Sequence, residues 1–117
     1  MRRAERLRRR QEFAAVYRRG RSYRSDAMVL RALRTGGPES RFGFAVSKAL
    51  GKAVARNRLK RRLREIVRSL GVRDGWDVVL NARAGAERLP YEALRWAVRE
   101  LMARAGLLEA TREGFEQ

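Results

Sequence analysis

The stretch 53–70 constrains the fold more than any other part of the chain, because only a helix gathers its apolar side chains on one face. At about 3.6 residues per turn they fall within a single arc. The residues of that arc are Leu59, Leu63, Ile66, Val67 and Leu70. Gly71 follows directly and is typical of a helix end. The pattern therefore predicts an amphipathic helix over 53–70 whose apolar arc packs on a core.

The opposite side of this helix is almost purely cationic. Nine Lys and Arg residues and a single acid, Glu65, lie between Lys48 and Arg68. Solvated faces normally mix the two signs, because like charges one turn apart repel each other. The one-sided face indicates a bound polyanion, and a merely solvated face is the simpler alternative. Asn57 has two interpretations, a contact to a ribose or base edge or a cap of the helix start. The predicted binding residues are Lys48, Lys52, Arg56, Asn57, Arg58, Lys60, Arg61, Arg64 and Arg68.

The charge of the whole chain agrees with this pattern. The sequence has 117 residues, with 29 Lys and Arg against 13 Asp and Glu, and a formal net charge of +16. Such a field on one small domain attracts polyanions and favours nucleic acid as the partner. All but three of the cations are Arg. Arg binds phosphate through two N–H groups and stacks on bases, which suits RNA, although genome composition is an alternative cause of the ratio.

The residue types that are missing exclude several classes of protein. The chain has no Cys and no His, which excludes a disulfide scaffold, a zinc finger and a thiol nucleophile, and removes the usual general base. No apolar run is long enough to span a membrane, and residues 1–10 lack the apolar part of a secretory signal. We expect one cytoplasmic domain without catalytic residues, metal ligands or a membrane partner. Residues 1–6 are expected to form a loose basic arm and 108–117 a loose tail.

Turn residues and periodicity predict the remaining elements, in an α+β arrangement of helices against a small sheet. In chain order these are a helix over 10–19 ended by Gly20, strands over 27–34 and 41–47, the central helix, a strand over 77–83, and a helix from Pro90 to Gly106. The Gly- and Pro-containing turn over 35–40 predicts that the first two strands form a hairpin. On the last helix Trp96 lies opposite Leu94 and Val98, which predicts an exposed side chain.

Residues 48–65 carry a more specific pattern, KALGKAVARNRLKRRLRE. This stretch closely resembles the signature of the bacterial ribonuclease P protein family, an Arg-Asn-Arg core followed by a basic helix. The segment FGFAVSK that precedes it is similar to the strand leading into that motif. Phe13, Tyr17 and Gly20 resemble the first helix of the family, and the late DVV strand and PYE helix start come in family order. The resemblance covers about 6–108.

The resemblance implies a fold and a function. The fold is a single-domain α/β sandwich of order α-β-β-α-β-α with a left-handed β-α-β crossover, like the second domain of ribosomal protein S5. Pattern alone would predict the common right-handed crossover. The implied function is that of the protein subunit of ribonuclease P, which removes the 5′ leader of precursor tRNA. The RNA subunit carries the chemistry with bound Mg²⁺. The implied partners are this catalytic RNA and precursor tRNA, and the free protein is expected to be a monomer.

The resemblance also divides the binding residues between two surfaces. The basic helix would contact the catalytic RNA, and a cleft between the sheet and the first helix would hold the single-stranded leader. Phe13 and Tyr17 match aromatic positions of that cleft, although Phe13 fits a core position equally well. Arg31 stands where many members have a strand Tyr, and Leu108 where a tail Tyr is common, so guanidinium stacking is expected to replace ring stacking. The predicted leader-binding residues are Phe13, Tyr17 and Arg31.

Other functions remain open on sequence alone. A structural RNA-binding protein of the ribosomal type, without a role in tRNA processing, would carry the same charge. A helix-turn-helix DNA-binding protein would place a second helix just before the basic one, where the pattern here predicts a strand. A nuclease that acts without RNA is the least favoured, because the sequence shows no cluster of catalytic side chains.

Overall fold

A four-stranded mixed sheet forms the centre of the structure, a computed structural model that describes residues 6–109. The strands are β1 Arg21–Arg24, β2 Met28–Arg34, β3 Arg41–Val46 and β4 Trp76–Ala82. Their order across the sheet is β1-β2-β4-β3, with β2 antiparallel to both neighbours and β3 parallel to β4. The helices of the described part are α1 Arg10–Arg19, α2 Ala53–Ser69 and α3 Tyr91–Arg104. The predicted α+β class is confirmed, and helix α2 forms the expected crossover between parallel strands.

Helices cover the two faces of the sheet unequally. Side chains alternate between the faces of a strand, and Leu30, Val78 and Leu80 belong to the main core with α2 and α3. On the other face Val79 packs against Val16 of α1 in a smaller cluster. Part of this second face carries polar side chains at the surface. The helices therefore lie on both faces of the sheet.

The central helix matches its prediction closely. Leu59, Leu63, Ile66 and Val67 are all buried in the main core. The helix ends at Ser69, whose hydroxyl donates to the carbonyl of Ile66 at 2.7 Å. The apolar arc therefore faces the sheet, and the cations lie toward its other sides.

The predicted hairpin between β2 and β3 is wrong, because β4 lies between these two strands. The six-residue connection does not fix local pairing. Its Thr35 and Gly36 N–H groups donate instead to the carbonyl of Gly75, just before β4. The true hairpin joins β1 to β2 through a turn in which the Ser25 hydroxyl accepts N–H groups from Ala27 and Met28.

Strand β1 is an additional element that the sequence did not predict. Its four residues, RSYR, are exposed except for the half-buried Tyr23. A short, charged edge strand shows no apolar alternation. Strand β1 forms because it pairs with backbone groups at the outer edge of β2. The register of this pairing is Arg21↔Ala32 to Arg24↔Val29.

The described ends of the chain are attached to the fold. Arg6 forms a β-bridge with Phe42, and the buried Leu7 donates its N–H to the Phe42 carbonyl at 3.0 Å. Leu108 forms a β-bridge with Val72. The rest of the predicted arm and tail, residues 1–5 and 110–117, lies outside the described residues.

Two further predictions concern the helix surfaces. Gly20 ends α1 as expected, but its φ of −79° is not left-handed. A Cβ there would lie 2.6 Å from the Val16 carbonyl oxygen and 2.9 Å from that of Ala32. Glycine is therefore required by the close approach of α1 to β2.

The predicted exposure of Trp96 is confirmed at 62%.

Candidate nucleic-acid interface

Helix α2 presents most of its predicted binding residues to solvent. Exposed side chains are those of Lys48, Lys52, Asn57, Arg58, Arg61 and Arg68, whereas Arg56, Lys60 and Arg64 are half-buried. Among residues 6–109 no carboxylate forms an ion pair with any of them. This surface, called the basic face below, therefore carries positive charge that no ion pair within residues 6–109 neutralises.

The start of α2 adds unpaired backbone donors to the basic face. The N-cap residue Lys52 makes no side-chain cap, and the first turn contains no acid. Arg56 is turned back, and its Nε donates to the Gly51 carbonyl at 3.1 Å. Asn57 lies beyond the first turn, so the capping alternative for this residue is wrong. An uncapped helix start flanked by cations favours an anion such as phosphate.

A cleft of about 500 Å³ opens at the outer edge of β3, beside the segment that bridges to Phe42 and between the start of α1 and the middle of α2. Phe13 lines it from one side, and Lys60 and Arg64 from the other. The two predicted surfaces therefore meet in one cleft. The resemblance assigned these residues to two separate surfaces, and the packing of α1 and α2 on β3 brings them together.

Arg64 is the least satisfied cation of this cleft. Its guanidinium carbon lies 5.8 Å from the centre of the Phe44 ring. Burial lowers the pKa of Arg64, and the nearby charges of Arg6 and Arg68 lower it further. Its buried Nε has no hydrogen-bond partner among the described residues. The pattern of α2 predicted a fully solvated side chain for Arg64, and the structure shows a partly buried one instead. An anion in the cleft would compensate its charge.

The three predicted leader-binding residues lie near α1 but in different settings. Phe13 is half-buried against Leu7, Val16 and Val79 and also lines the cleft. Tyr17 is 44% exposed. The guanidinium carbon of Arg31 lies over the Tyr17 ring, 4.8 Å from its centre.

Asn81 on β4 completes this arrangement, and the sequence analysis missed it. Its Oδ1 accepts from Arg31 at 2.7 Å, and its Nδ2 donates to the Tyr17 hydroxyl, also at 2.7 Å. The signal that could have found it is an Asn inside the otherwise apolar strand VVLNA. A strand prefers apolar or β-branched residues, so a central Asn indicates a specific polar partner.

An ion-pair network that the sequence did not reveal holds α1 against the sheet. Arg41 forms two hydrogen bonds with the buried carboxylate of Asp77, at 2.9 and 2.8 Å, and one with Glu12 at 2.7 Å. Glu12 also accepts the N–H groups of Arg8 and Arg9, both at 3.0 Å, which caps α1. The network therefore fixes the position of Phe13 and Tyr17 relative to the strands.

The titration of Glu12 makes this network pH-dependent. The N–H groups of Arg9 and Arg8 lower the pKa of Glu12 from 4.5 to about 2, and Arg41 adds to the effect. A lowered folded-state pKa stabilises the fold above the unfolded-state pKa, and the gain is lost as the pH falls. We expect Glu12→Gln to be less stable than wild type at neutral pH, with the difference shrinking between pH 4.5 and 2. Urea unfolding of both proteins across this range measures it, and a constant difference would contradict the assignment.

The described residues provide no metal centre. Within 6–109 no three Asp or Glu side chains are grouped closely enough to hold a metal ion. No described helix is both long enough and apolar enough to cross a membrane.

Comparison with known proteins decides the family. The profile described as Ribonuclease P matches residues 1–106. A ribonuclease P protein component from Symbiobacterium thermophilum is 49% identical over 117 residues, covering 97% of this chain and 100% of its own. The chain belongs to the ribonuclease P protein family. As a ribonuclease P protein component it is a subunit of the holoenzyme and works with the RNA subunit.

Solved ribonuclease P protein structures share the fold. The protein from Staphylococcus aureus superposes with a TM-score of 0.82 at 25% identity, covering 90% of this chain and 98% of its own. The protein from Thermotoga maritima gives a TM-score of 0.79 at 31% identity, covering 91% and 99%. The expected resemblance is thus confirmed over nearly the whole chain, and a tRNA-processing role fits this ribonuclease P protein. A ribosomal-type RNA-binding protein is not favoured.

Proposed function

We propose that the basic face binds the catalytic RNA of ribonuclease P, and that the cleft and the neighbouring Tyr17 side of α1 bind the 5′ leader of precursor tRNA. The observation that carries the proposal is the basic face itself. It combines exposed cations without ion pairs in the described chain with an uncapped helix start. Phosphate neutralisation by such cations supplies most of the affinity of proteins for nucleic acid.

The leader is assigned to the second surface because this surface combines charge with aromatic rings. Proteins that bind single-stranded nucleic acid use a positive groove together with rings on which bases stack. Here Lys60 and Arg64 supply the charge of the cleft and Phe13 supplies a ring. Tyr17 and Arg31 continue the surface along α1 and β2. A strand of RNA that crosses the cleft can thus touch both the basic face and α1.

The chemistry in this proposal belongs to the RNA subunit. In it, the RNA would hold most of the Mg²⁺ that the cleavage requires. The protein assists by binding both RNAs at once, which brings leader and catalytic RNA together in the cytoplasm.

Arg61 tests the RNA interface, because it is exposed on the basic face and is not among the residues that line the cleft. Arg61→Ala should weaken binding to the catalytic RNA and reduce the slope of log affinity against log salt by roughly 0.7–1. The matched control is Arg99→Ala, an exposed cation on α3. Filter binding across a salt series measures both variants. Equal slopes for wild type, Arg61→Ala and Arg99→Ala would remove α2 from the interface.

Trp96 tests the proposed monomeric state of the free protein. Its exposed ring lies beside polar groups, including Glu100 and Arg104, and the +16 net charge repels a second copy. We expect one sedimentation coefficient at all concentrations and Trp fluorescence that does not change on dilution. A concentration-dependent shift that Trp96→Ala abolishes would instead show self-association through α3.

A further inference from the structure

Three side chains from three separate elements form a closed set on the open part of the second sheet face. Tyr17 comes from α1, Arg31 from β2 and Asn81 from β4. Arg31 stacks on Tyr17 and donates to Asn81, which in turn donates to Tyr17. Both hydrogen bonds measure 2.7 Å, and the one that Arg31 donates is charge-assisted. The set therefore holds three surface side chains in one arrangement.

The chemistry of the partners fixes the orientation of each group. A guanidinium can only donate, so the Asn81 oxygen must face Arg31 and its NH₂ group must face Tyr17. The Tyr17 oxygen accepts from that NH₂ group, so its own proton is directed elsewhere. The Tyr17 O–H, the second Asn81 N–H and the remaining Arg31 N–H groups are left as donors, against one further lone pair on each of the Asn81 and Tyr17 oxygens. The set therefore offers more donors than acceptors.

The charge of this set has no counterion in the protein. Within residues 6–109 Arg31 forms no ion pair with a carboxylate. A long side chain at a surface normally samples many rotamers, and ordering it on binding costs affinity. The stacking on Tyr17 and the hydrogen bond to Asn81 order the Arg31 side chain before any ligand binds, so binding loses less entropy. Arg31 is therefore preorganised and still able to take an acceptor.

We infer that Asn81 is a positioning residue, which holds Arg31 and Tyr17 as a preformed donor-rich site for one nucleotide of the leader. The acceptors it takes are base oxygens and nitrogens or a phosphate oxygen. The inference rests on the proposed leader-binding function and adds to it a residue and a binding chemistry. It also explains how Arg31 can serve at a position where an aromatic side chain would stack directly on a base.

A double-mutant cycle on the assembled holoenzyme tests this role. Asn81→Leu removes the amide at similar size, and Arg31→Ala removes the guanidinium. Each single variant should lower affinity for leader-bearing precursor tRNA roughly tenfold and leave affinity for mature tRNA unchanged. Because Asn81 acts through Arg31, the double variant should lose little more than either single variant. Fully additive losses would overturn the inference. Asn81→Ala serves in the same cycle if the Leu variant does not fold.

Two arms of the experiment separate the base from the phosphate as the source of the acceptors. A series of leaders carries one abasic nucleotide at successive positions, and a second series carries one uncharged methylphosphonate. If the base is bound, one abasic position abolishes the effect of Asn81→Leu; if the phosphate is bound, one methylphosphonate position does. An Asn81 effect that survives at every position of both series would overturn the site.

Failure of the inference and failure of the proposed function give different results. If wild-type holoenzyme binds precursor and mature tRNA equally, the leader-binding function itself is wrong. If wild type prefers the precursor and both Asn81→Leu and Arg31→Ala keep the full preference, only the donor-rich site is wrong. Thermal unfolding of the free proteins confirms that the compared variants are folded.

Discussion

Leu63→Ala should destabilise the protein by about 2–5 kcal/mol, the largest effect expected of any single substitution considered for this chain. Leu63 is fully buried on the core side of α2, within the cluster that joins this helix to the sheet. Truncation removes the transfer free energy of the lost methyl and methylene groups and leaves a cavity in a close-packed interior. The free energy of unfolding from urea titration measures the loss.

Arg61→Ala is the matched control for this prediction. It lies two residues earlier on the same helix but on the exposed side. Its unfolding free energy should stay within about 0.5 kcal/mol of wild type, as is usual for surface substitutions. Equal stability of the Leu63→Ala and Arg61→Ala variants would contradict the division of α2 into a core face and a basic face.

Tyr17→Ala should cost the holoenzyme about 1–3 kcal/mol of affinity for precursor tRNA, the value of one base–aromatic stack. Tyr17 is exposed on α1 and carries the Arg31 guanidinium over its ring. Its loss removes the ring and the support of Arg31 together. Affinity for mature tRNA, which has no leader, should not change. Equilibrium binding of both tRNA forms to wild-type and variant holoenzyme measures the difference.

Two further variants show whether the Tyr17 effect is specific. Trp96→Ala removes an even more exposed ring from α3 and should leave the preference for precursor intact. Phe13→Ala should lower thermal stability, because Phe13 packs against the smaller core cluster as well as lining the cleft. If Tyr17→Ala keeps the full preference for precursor, Tyr17 does not touch the leader.

The sequence predicted those elements whose residues carry their own periodicity. Helix α2 was predicted over 53–70 and runs over Ala53–Ser69, because a one-sided apolar arc is a local property of the chain. Strand β1 was missed because edge pairing to β2, and not its own composition, specifies it. The pairing of β2 with β4 was missed because it depends on a strand more than 40 residues later in the chain.

The residues of the site fall into the same two groups, those that a local pattern predicts and those that depend on long-range contacts. The basic face follows from one helix and was predicted from the sequence. Asn81 and the Arg41–Asp77–Glu12 network depend on contacts between residues 29 to 64 positions apart, which no local pattern contains. The meeting of Phe13 with Lys60 and Arg64 in one cleft likewise required the packing of α1 and α2 on the two sides of β3.

The claim that the chain acts as the protein subunit of ribonuclease P is tested most directly by cleavage of precursor tRNA at low Mg²⁺. The assay compares catalytic RNA alone, protein alone, and the two together. We expect little cleavage by the RNA alone under these conditions, none by the protein alone, and release of the 5′ leader when both are present. Failure of the protein to restore cleavage to the RNA, or cleavage by the protein without RNA, would contradict it.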